Sequence, residues 1–325
     1  MSKKILITGA AGFIGSFLTE LCVKKGYKVV AFDRYNPNNH IGWLENSKYI
    51  NDIEVLLGDI RDFDSVLNAI DGCDSVFHLA ALIGIPYSYI SPLAYLKTNI
   101  EGTYNVLEAS KLKNINQILI TSTSETYGNA KYIPIDEDHP LIAQSPYSST
   151  KIAADQLALS YYFSFNMPIK IVRPFNTYGP RQSLRAIIPT IITQLLAKNE
   201  KIKLGNLNPT RDLTYVEDTV DAFLKIYEKD ELFGEIINIG SNKEISIREI
   251  FNQISSILEV KALVEEEDSR KRPKKSEVNR LVCNNEKIYK STGWQPRTSL
   301  QEGLNKTINW FKTTNNSYNS TKYNV

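Results

Sequence analysis

Cysteine and histidine are scarce in this chain, and the scarcity argues against several classes of protein. The 325 residues include three of each, and none has the paired spacing that is typical of metal ligands. A metal enzyme or a disulfide-stabilised secreted domain is therefore disfavoured, and we expect reduced, mostly buried thiols in a cytoplasmic protein. The residues concerned are Cys22, Cys73, Cys283, His40, His78 and His139.

Strong charge and long apolar runs are also lacking. The formal net charge is +2, so no basic field favours nucleic acid or an anionic membrane as a partner. No apolar stretch approaches the ~20 residues that a membrane-spanning helix needs. The first residues resemble a short signal peptide, but glycines interrupt the apolar run after Thr8 in a strand–turn–helix pattern. We therefore expect no targeting segment there.

What the chain does contain is an alternation of strand and helix signals. Short, apolar, β-branched segments alternate with amphipathic ones, which predicts an α/β fold, a Rossmann-type doubly wound parallel sheet of about seven strands. The strands are apolar on both faces, as expected when helices cover both sides of a sheet. Strands are predicted at 5–8, 28–32, 53–57, 75–79, 117–121, 169–173 and 236–239, and helices at 13–25, 63–70, 92–112 and 147–165.

The alternation ends after Pro174 and returns briefly with a helix at 217–229 and the last predicted strand. This change divides the chain into two interwoven lobes. The larger comprises residues 1–173 plus 216–240 and carries the Rossmann-type sheet, while a smaller α/β lobe comprises 174–215, with a helix at about 187–199, plus 241–312. Residues 313–325 are polar and aperiodic, and we expect a disordered tail.

A glycine-rich turn follows the first predicted strand. Gly9, Gly12 and Gly15 give a tight turn, close approach to a pyrophosphate and close helix–strand packing, while the helix N-terminus attracts negative charge. Asp33 ends the second strand, where its carboxylate can accept hydrogen bonds from the adenine-ribose hydroxyls. This arrangement predicts a dinucleotide site and favours NAD, although the neighbouring Arg34 keeps NADP open as an alternative.

Two other polar residues end predicted strands. Asp59 has two interpretations of equal weight, capping the turn that follows or holding the adenine amino group. We interpret His78 as a strand histidine whose hydrogen bonds are satisfied, and not as a catalyst. The remaining residues that we assign to the cofactor site, besides the glycines and Asp33, are Phe13, Ile14, Asp59, Ile60, Leu79, Ala80, Ala81, Asn99, Tyr147 and Lys151.

Candidate catalytic groups lie in residues 121–151. Thr123, Ser124 and Glu125 follow the carboxyl end of a predicted strand, where open α/β sheets bind ligands. Tyr147 and Lys151 are four residues apart and share one face of a helix that Ser145 and Pro146 begin. A lysine ammonium near a cationic nicotinamide would lower the pKa of the tyrosine, whose phenolate could then take an alcohol proton while hydride leaves the carbon.

With these motifs in place, residues 3 to about 312 resemble the extended short-chain dehydrogenase/reductase family, in its NAD-dependent sugar-nucleotide epimerase/dehydratase branch. The resemblance rests on GAAGFIG, GDIRD, HLAA, TNIEGT, YGPR, RDLTYVED and YSSTK. It implies that Thr123 and Tyr147 hydrogen-bond the sugar 4-hydroxyl. It also implies a homodimer through helices 92–112 and 147–165. The positions that it assigns to the nucleotide diphosphate are Asn176, Arg181, Arg211 and Arg272. Tyr87 and Ser88 have two interpretations of equal weight, contact with the sugar or packing within their loop.

Glu125 distinguishes the subclasses of this branch. A C4 epimerase needs only the threonine, tyrosine and lysine, whereas a 4,6-dehydratase also needs a carboxylate that removes the C5 proton. Where many dehydratases have aspartate before this glutamate, the chain has Ser124. The Thr-Ser-Glu form also occurs in GDP-mannose dehydratases and in UDP-glucuronate decarboxylases, so both reactions stay open.

The leading hypothesis is a 4,6-dehydratase that makes a 4-keto-6-deoxy sugar. The segments IDEDHPLIAQSPYSSTK and LIGIPYSYISP are similar to the dehydratases that open legionaminic acid synthesis, which act on UDP- or GDP-linked N-acetylglucosamine. The alternatives are a UDP-glucuronate decarboxylase, a C4 epimerase and, outside enzymes, an NAD-sensing binding protein. Proteins of this last kind often lack the Tyr/Lys pair that this chain has.

Overall fold

The computed structural model describes residues 2–314. Residues 315–325, most of the predicted disordered tail, lie outside the described residues. The strands, in chain order, are β1 (Lys4–Thr8), β2 (Lys28–Arg34), β3 (Ile53–Gly58), β4 (Ser75–His78), β5 (Gln117–Thr121), β6 (Ile169–Pro174), β7 (Asn176–Tyr178), β8 (Lys201–Leu204), β9 (Thr210–Tyr215), β10 (Ile236–Ile239), β11 (Glu244–Ser246) and β12 (Leu263–Glu266).

The helices begin and end close to the predicted positions. They are α1 (Phe13–Lys24), α2 (Phe63–Ile70), α3 (Ile85–Ile90), α4 (Pro92–Tyr95), α5 (Gly102–Leu112), α6 (Pro146–Phe165), α7 (Ile187–Leu196), α8 (Val216–Tyr227), α9 (Ile247–Leu258), α10 (Glu286–Thr292) and α11 (Leu300–Thr313). The single helix predicted over 92–112 is interrupted, because a π-helical segment, Leu96–Glu101, separates α4 from α5.

The central sheet has seven parallel strands in the order β10-β6-β5-β4-β1-β2-β3, which confirms the predicted doubly wound sheet. The chain reverses its direction of growth between β1 and β4, so the carboxyl ends of these two strands flank the crevice where such sheets bind ligands. Two smaller sheets, β11-β9-β7 and β12-β8, lie outside it.

Alternation along each strand explains why both faces of the sheet are apolar. Ile5 and Ile7 pack into one core with α1 and α8, whereas Leu6 packs into the opposite core with α2, α5 and α6. Successive side chains of a strand point to opposite faces, so a parallel strand that is buried on both faces is apolar at most of its positions. Both cores are therefore encoded in the same short segments.

A third core belongs to the smaller part of the fold. Helices α7, α9 and α11 pack there with β8 and β9. Within the predicted second lobe, however, Ile288 on α10 and Trp294 pack into the core of the central sheet. The lobe boundaries given above stay a prediction, and these two residues show how closely the lobes interweave.

Residues 2–314 lack two kinds of feature. None of the helices there is long and apolar enough to cross a membrane. The same residues contain no group of three or more histidine, cysteine, aspartate or glutamate side chains that could hold a metal ion. The three cysteines are free thiols.

Candidate active site

The glycine-rich turn between β1 and α1 requires glycine at two positions. Gly9 has a φ of +69°, and a Cβ there would lie 2.9 Å from the Cα of Ala80. A Cβ on Gly15 would lie 2.1 Å from the carbonyl oxygen of Gly9. Gly12 is the N-cap of α1. The turn thus leaves the amino end of α1 open beside the carboxyl ends of β1 and β4, which suits a pyrophosphate.

Asp33 lies over this turn from the end of β2. Its Oδ2 accepts a hydrogen bond from the Ala11 amide at 2.8 Å, and its Oδ1 accepts one from the Arg34 amide at 2.7 Å. The carboxylate is partly exposed, so each oxygen keeps a lone pair for a ribose hydroxyl. The turn and this carboxylate fit NAD together, as the sequence predicts.

The carboxylate of Asp59 forms hydrogen bonds within the turn that follows β3. Its carboxylate accepts hydrogen bonds from the backbone amide and the Nε of Arg61, each at 2.9 Å. The side-chain hydrogen bonds of Arg61 lower the pKa of Asp59. These contacts agree with the turn-capping interpretation, and a contact with adenine stays a prediction.

The loop after β4 is held by buried polar side chains. Thr8 Oγ1 accepts hydrogen bonds from the amides of Leu79 and Ala80, both at 3.2 Å. Asn99, on the π-helical segment, accepts from the Leu82 amide at 2.8 Å and donates to Thr150 Oγ1 at 3.0 Å. Asn99 therefore fixes the loop to α6, and its direct contact with the cofactor stays a prediction, as do those of Phe13, Ile14, Ile60 and Ala81.

Helix α6 begins where the sequence predicts. Ser145 is the N-cap, its hydroxyl accepts from the Ser148 amide at 3.1 Å, and the Ser148 hydroxyl accepts from the Ser145 amide at 3.0 Å. This capping box fixes the first turn, which contains Tyr147. Tyr147 and Lys151 consequently lie on the face of α6 that packs against the end of β5.

Tyr147 and Lys151 are both buried, with exposures of 6% and 5%. Lys151 Nζ donates to the carbonyl oxygen of Thr121 at 2.5 Å. Burial raises the pKa of Tyr147, and a hydrogen bond with Thr123 opposes that shift. Burial lowers the pKa of Lys151, and the charge of Asp155 opposes this shift. A phenolate at Tyr147 thus requires positive charge close by, which Lys151 and a bound nicotinamide can supply.

Glu125 lies on a 3₁₀ turn, Ser124–Tyr127, for which Thr123 is the N-cap. Its carboxylate is 9% exposed, and Arg272 Nη1 lies 3.4 and 3.5 Å from its two oxygens. The charge of Glu125 also acts on Tyr147 and on Arg211. The predicted catalytic residues and two of the predicted arginines are thus brought together. Ser124, the remaining predicted catalytic residue, is buried beside Glu125.

Two other predicted substrate residues have different surroundings. Asn176 Oδ1 is buried without a hydrogen-bond partner among the described residues, so it is free to bind a ligand. Arg181 instead donates to Glu20 on α1 at 3.0 Å and lies 4.5 Å from the centroid of the Phe17 ring. These contacts indicate a structural link between α1 and the loop after β7, and the diphosphate contact of Arg181 stays a prediction.

Helix α3 holds the two residues predicted near the sugar. Ser88 is fully buried and donates to the Ile85 carbonyl at 2.6 Å, which agrees with a packing role. Tyr87 is 37% exposed, and its ring centroid lies 6.1 Å from that of Tyr95. The Tyr95 ring in turn meets the Tyr147 ring edge to face at 6.2 Å. The sequence did not single out Tyr95, which lies three residues after the segment LIGIPYSYISP that includes Tyr87.

The chain is similar to known proteins over most of its length. The family model for GDP-mannose 4,6 dehydratase matches residues 6–307. A putative UDP-glucose 4-epimerase of Methanocaldococcus jannaschii is 32% identical, over 96% of this chain and 99% of that protein. A UDP-N-acetyl-alpha-D-glucosaminuronate decarboxylase of Bacillus cytotoxicus is 32% identical, over 96% and 98%. The structure of DesIV, a dTDP-glucose 4,6-dehydratase from Streptomyces venezuelae with NAD and TYD bound, has a TM-score of 0.89 at 25% identity, over 96% and 97% of the two chains.

The fold and the Tyr147–Lys151 site define an NAD-dependent enzyme of the extended short-chain dehydrogenase/reductase class that acts on nucleotide sugars. Within that class, the chain belongs to the GDP-mannose 4,6-dehydratase family. Relatives at about the same identity include dehydratases, decarboxylases and epimerases, so family membership alone does not fix the reaction.

Proposed function

We propose that this enzyme is a nucleotide-sugar 4,6-dehydratase that converts UDP- or GDP-linked N-acetylglucosamine into a 4-keto-6-deoxy sugar. The observation that carries the proposal is Glu125, a buried carboxylate on the turn that Thr123 caps and close enough to act electrostatically on Tyr147. Oxidation and reduction at C4 alone do not use a carboxylate. Removal of a C5 proton does, because that proton becomes acidic once C4 is a ketone.

Each side chain then has one task. Tyr147 takes the proton of the 4-hydroxyl, Lys151 supplies the positive charge that favours the phenolate, and Thr123 hydrogen-bonds the same hydroxyl. A bound NAD would supply the acceptor for the C4 hydride and the donor of hydride to C6. Glu125 removes the C5 proton, and either Ser124 or a water molecule delivers a proton to the leaving 6-hydroxyl. When hydride adds to C6, Glu125 returns a proton to C5. The overall change is the loss of one water, with no net reduction of NAD.

Mass spectrometry tests this reaction directly. Incubation with UDP- and GDP-N-acetylglucosamine should give a product about 18 mass units lighter, with no accumulation of NADH. Failure to dehydrate any of a panel of hexose nucleotides would contradict the proposal. In deuterium oxide, Glu125→Gln should abolish incorporation of deuterium at C5 while NAD stays bound. Exposed Glu228→Gln is the matched control and should behave like the native enzyme.

A uronate decarboxylase is the second candidate, and one contact favours it. Arg272 lies against Glu125 with Arg211 close by, so a sugar carboxylate at C6 would meet positive charge there. Release of carbon dioxide from UDP-glucuronate or UDP-N-acetylglucosaminuronate would support this reaction. Interconversion of C4 stereoisomers without mass change would instead indicate an epimerase, and NAD binding without turnover would indicate a sensor.

Assembly and location complete the proposal. We infer a homodimer, since exposed apolar side chains lie on α4, the π-helical segment, α5 and α6, the elements predicted to form the interface. Light scattering should give about twice the chain mass of 36.8 kDa. The exposed apolar side chains on these elements are Leu93, Leu96, Tyr104, Leu112 and Phe163.

We also propose that the enzyme is cytoplasmic and belongs to legionaminic acid synthesis. The three free cysteines suit the cytoplasm, and the proposed substrate suits that pathway.

A further inference from the structure

A fully buried ion pair lies close to Tyr147 and Lys151. Asp155 on α6 and Arg173 on β6 both have 0% exposure, and Arg173 Nη2 donates to Asp155 Oδ2 at 2.7 Å. The Ser122 hydroxyl donates to the same carboxylate oxygen at 2.5 Å and accepts from Arg173 Nε at 3.3 Å. Because Asp155 follows Lys151 by four residues, the two side chains occupy the same face of α6.

The same pair contacts the turn that carries Thr123 and Glu125. Ser122 immediately precedes Thr123, and Tyr127 is the last residue of the 3₁₀ turn. The Arg173 guanidinium lies 4.7 Å from the centroid of the Tyr127 ring. Arg173 therefore contacts residues on both sides of the turn, and its ionic partner belongs to the catalytic helix. The pair joins the two segments whose relative position defines the site.

Stability is a weak explanation for such a pair. Removing two charges from water carries a large free-energy cost, and apolar residues of similar volume often replace a buried ion pair without loss of stability. Moreover, Asp155 Oδ1 and Arg173 Nη1 are buried without hydrogen-bond partners in the part of the chain that the structure describes. What the pair does provide is a negative charge that acts on Lys151, with its own cation hydrogen-bonded to it.

We propose that Asp155 and Arg173 are positioning residues that set the charge at the Tyr147–Lys151 pair. Asp155 keeps Lys151 protonated despite burial, and Arg173 offsets that carboxylate so that Tyr147 can still lose its proton. The inference rests on the proposed role of Tyr147 as the base, but not on the identity of the sugar. The other titratable side chains that face Tyr147 and Lys151 are His78 on β4, Tyr95 on α4 and Glu125 on the turn.

The sign of the effect separates this role from a merely structural one. Loss of the negative charge of Asp155 should lower the pKa of both Lys151 and Tyr147, because an adjacent anion favours the protonated form of each. Loss of the positive charge of Arg173 should raise both pKa values, because the carboxylate is then unopposed. Damage to packing alone would not move the pKa values of Tyr147 and Lys151 in opposite directions in the two variants.

The experiment is an NMR titration of the NAD-loaded protein with ¹³C-labelled tyrosine and lysine. Resonances of Tyr147 and Lys151 are assigned by their loss in Tyr147→Phe and Lys151→Met. Asp155→Asn should lower both midpoints by about one pH unit, and Arg173→Met should raise them by a similar amount. Arg173→Lys keeps the charge and should leave them in place.

Midpoints that move in opposite directions in Asp155→Asn and Arg173→Met support the proposal. Midpoints that move in the same direction, or that do not move in one or both variants, would overturn it. If a single variant does not fold, Asp155→Leu combined with Arg173→Leu removes both charges and leaves neither unpaired. We expect that protein to fold and its midpoints to lie within about half a pH unit of the native ones. A displacement of a full unit would refute the compensating role of Arg173. No substrate is needed, so a failed dehydratase assay is a separate result.

Discussion

His78 should make the stability of this enzyme depend on pH in a predictable way. Its ring is 3% exposed, with Nδ1 2.8 Å from Thr8 Oγ1 and Nε2 3.1 Å from Thr103 Oγ1. Burial, with a smaller contribution from the charge of Lys151, lowers the pKa of His78 from 6.5 to about 3. The folded protein therefore holds a neutral imidazole at pH values where the unfolded chain binds a proton.

The size of the effect follows from proton linkage. Because the folded pKa lies below the unfolded one, the full stability is present above pH 6.5 and declines as the pH falls from there towards about 3. At pH 5 the unfolded imidazole is almost fully protonated and the folded one is not. The corresponding loss of unfolding free energy is about 2 kcal/mol, compared with almost none at pH 8.

Urea unfolding of the native protein and of His78→Gln at pH 8 and pH 5 measures this difference. A glutamine at this position cannot titrate, so the native protein should lose about 2 kcal/mol more than the variant between the two pH values. Exposed His40→Gln is the control and should keep the native pH dependence. Equal pH dependence of the native protein and His78→Gln would refute a neutral, buried His78.

Two further substitutions test the cofactor turn and the assignment of Arg181. Gly15→Ala would place a Cβ 2.1 Å from the Gly9 carbonyl oxygen, so we expect at least a tenfold loss of NAD affinity, measurable by calorimetry. Arg181→Met should cost about 1 kcal/mol of stability, as should its partner variant Glu20→Gln, with the KM of the sugar nucleotide unchanged. A tenfold rise of KM in Arg181→Met, but not in Glu20→Gln, would instead support the predicted contact of Arg181 with the diphosphate.

The central sheet could be predicted because its signals are local. A parallel strand covered on both faces is apolar at most positions, and segments such as Ile5–Thr8 are easily recognised for that reason. Helix α6 was equally predictable, since Ser145 and Pro146 begin it with side-chain chemistry that acts within one turn. The π-helical segment before α5 was missed, because one extra residue in a helical turn hardly alters hydrophobic periodicity.

Within the site, local motifs were again the predictable part. The glycine turn and the Tyr147–Lys151 pair depend on spacings of a few residues, and the structure has both in the expected elements. Contacts over a long stretch of chain were not predictable in the same way. Arg181 contacts Glu20, 161 residues away, and Arg173 on β6 contacts Asp155 on α6, 18 residues away. No rule of spacing selects the partner of a charged side chain at that separation.

Arg272 shows why the reaction is harder to predict than the cofactor. It lies in the basic run SRKRPKKSEVNR, which in sequence is typical of a solvated surface, and its neighbours Lys271 and Pro273 are indeed exposed. Arg272 alone of these three turns inward, to within 3.4 Å of a carboxylate 147 residues earlier in the chain. In the proposed reaction Glu125 is the base, and we expect Arg272 to decide whether that carboxylate meets a C5 proton or a substrate carboxylate. On this proposal the chemistry at C5 and C6 depends on a long-range contact, whereas oxidation at C4 depends on the local Tyr147–Lys151 spacing.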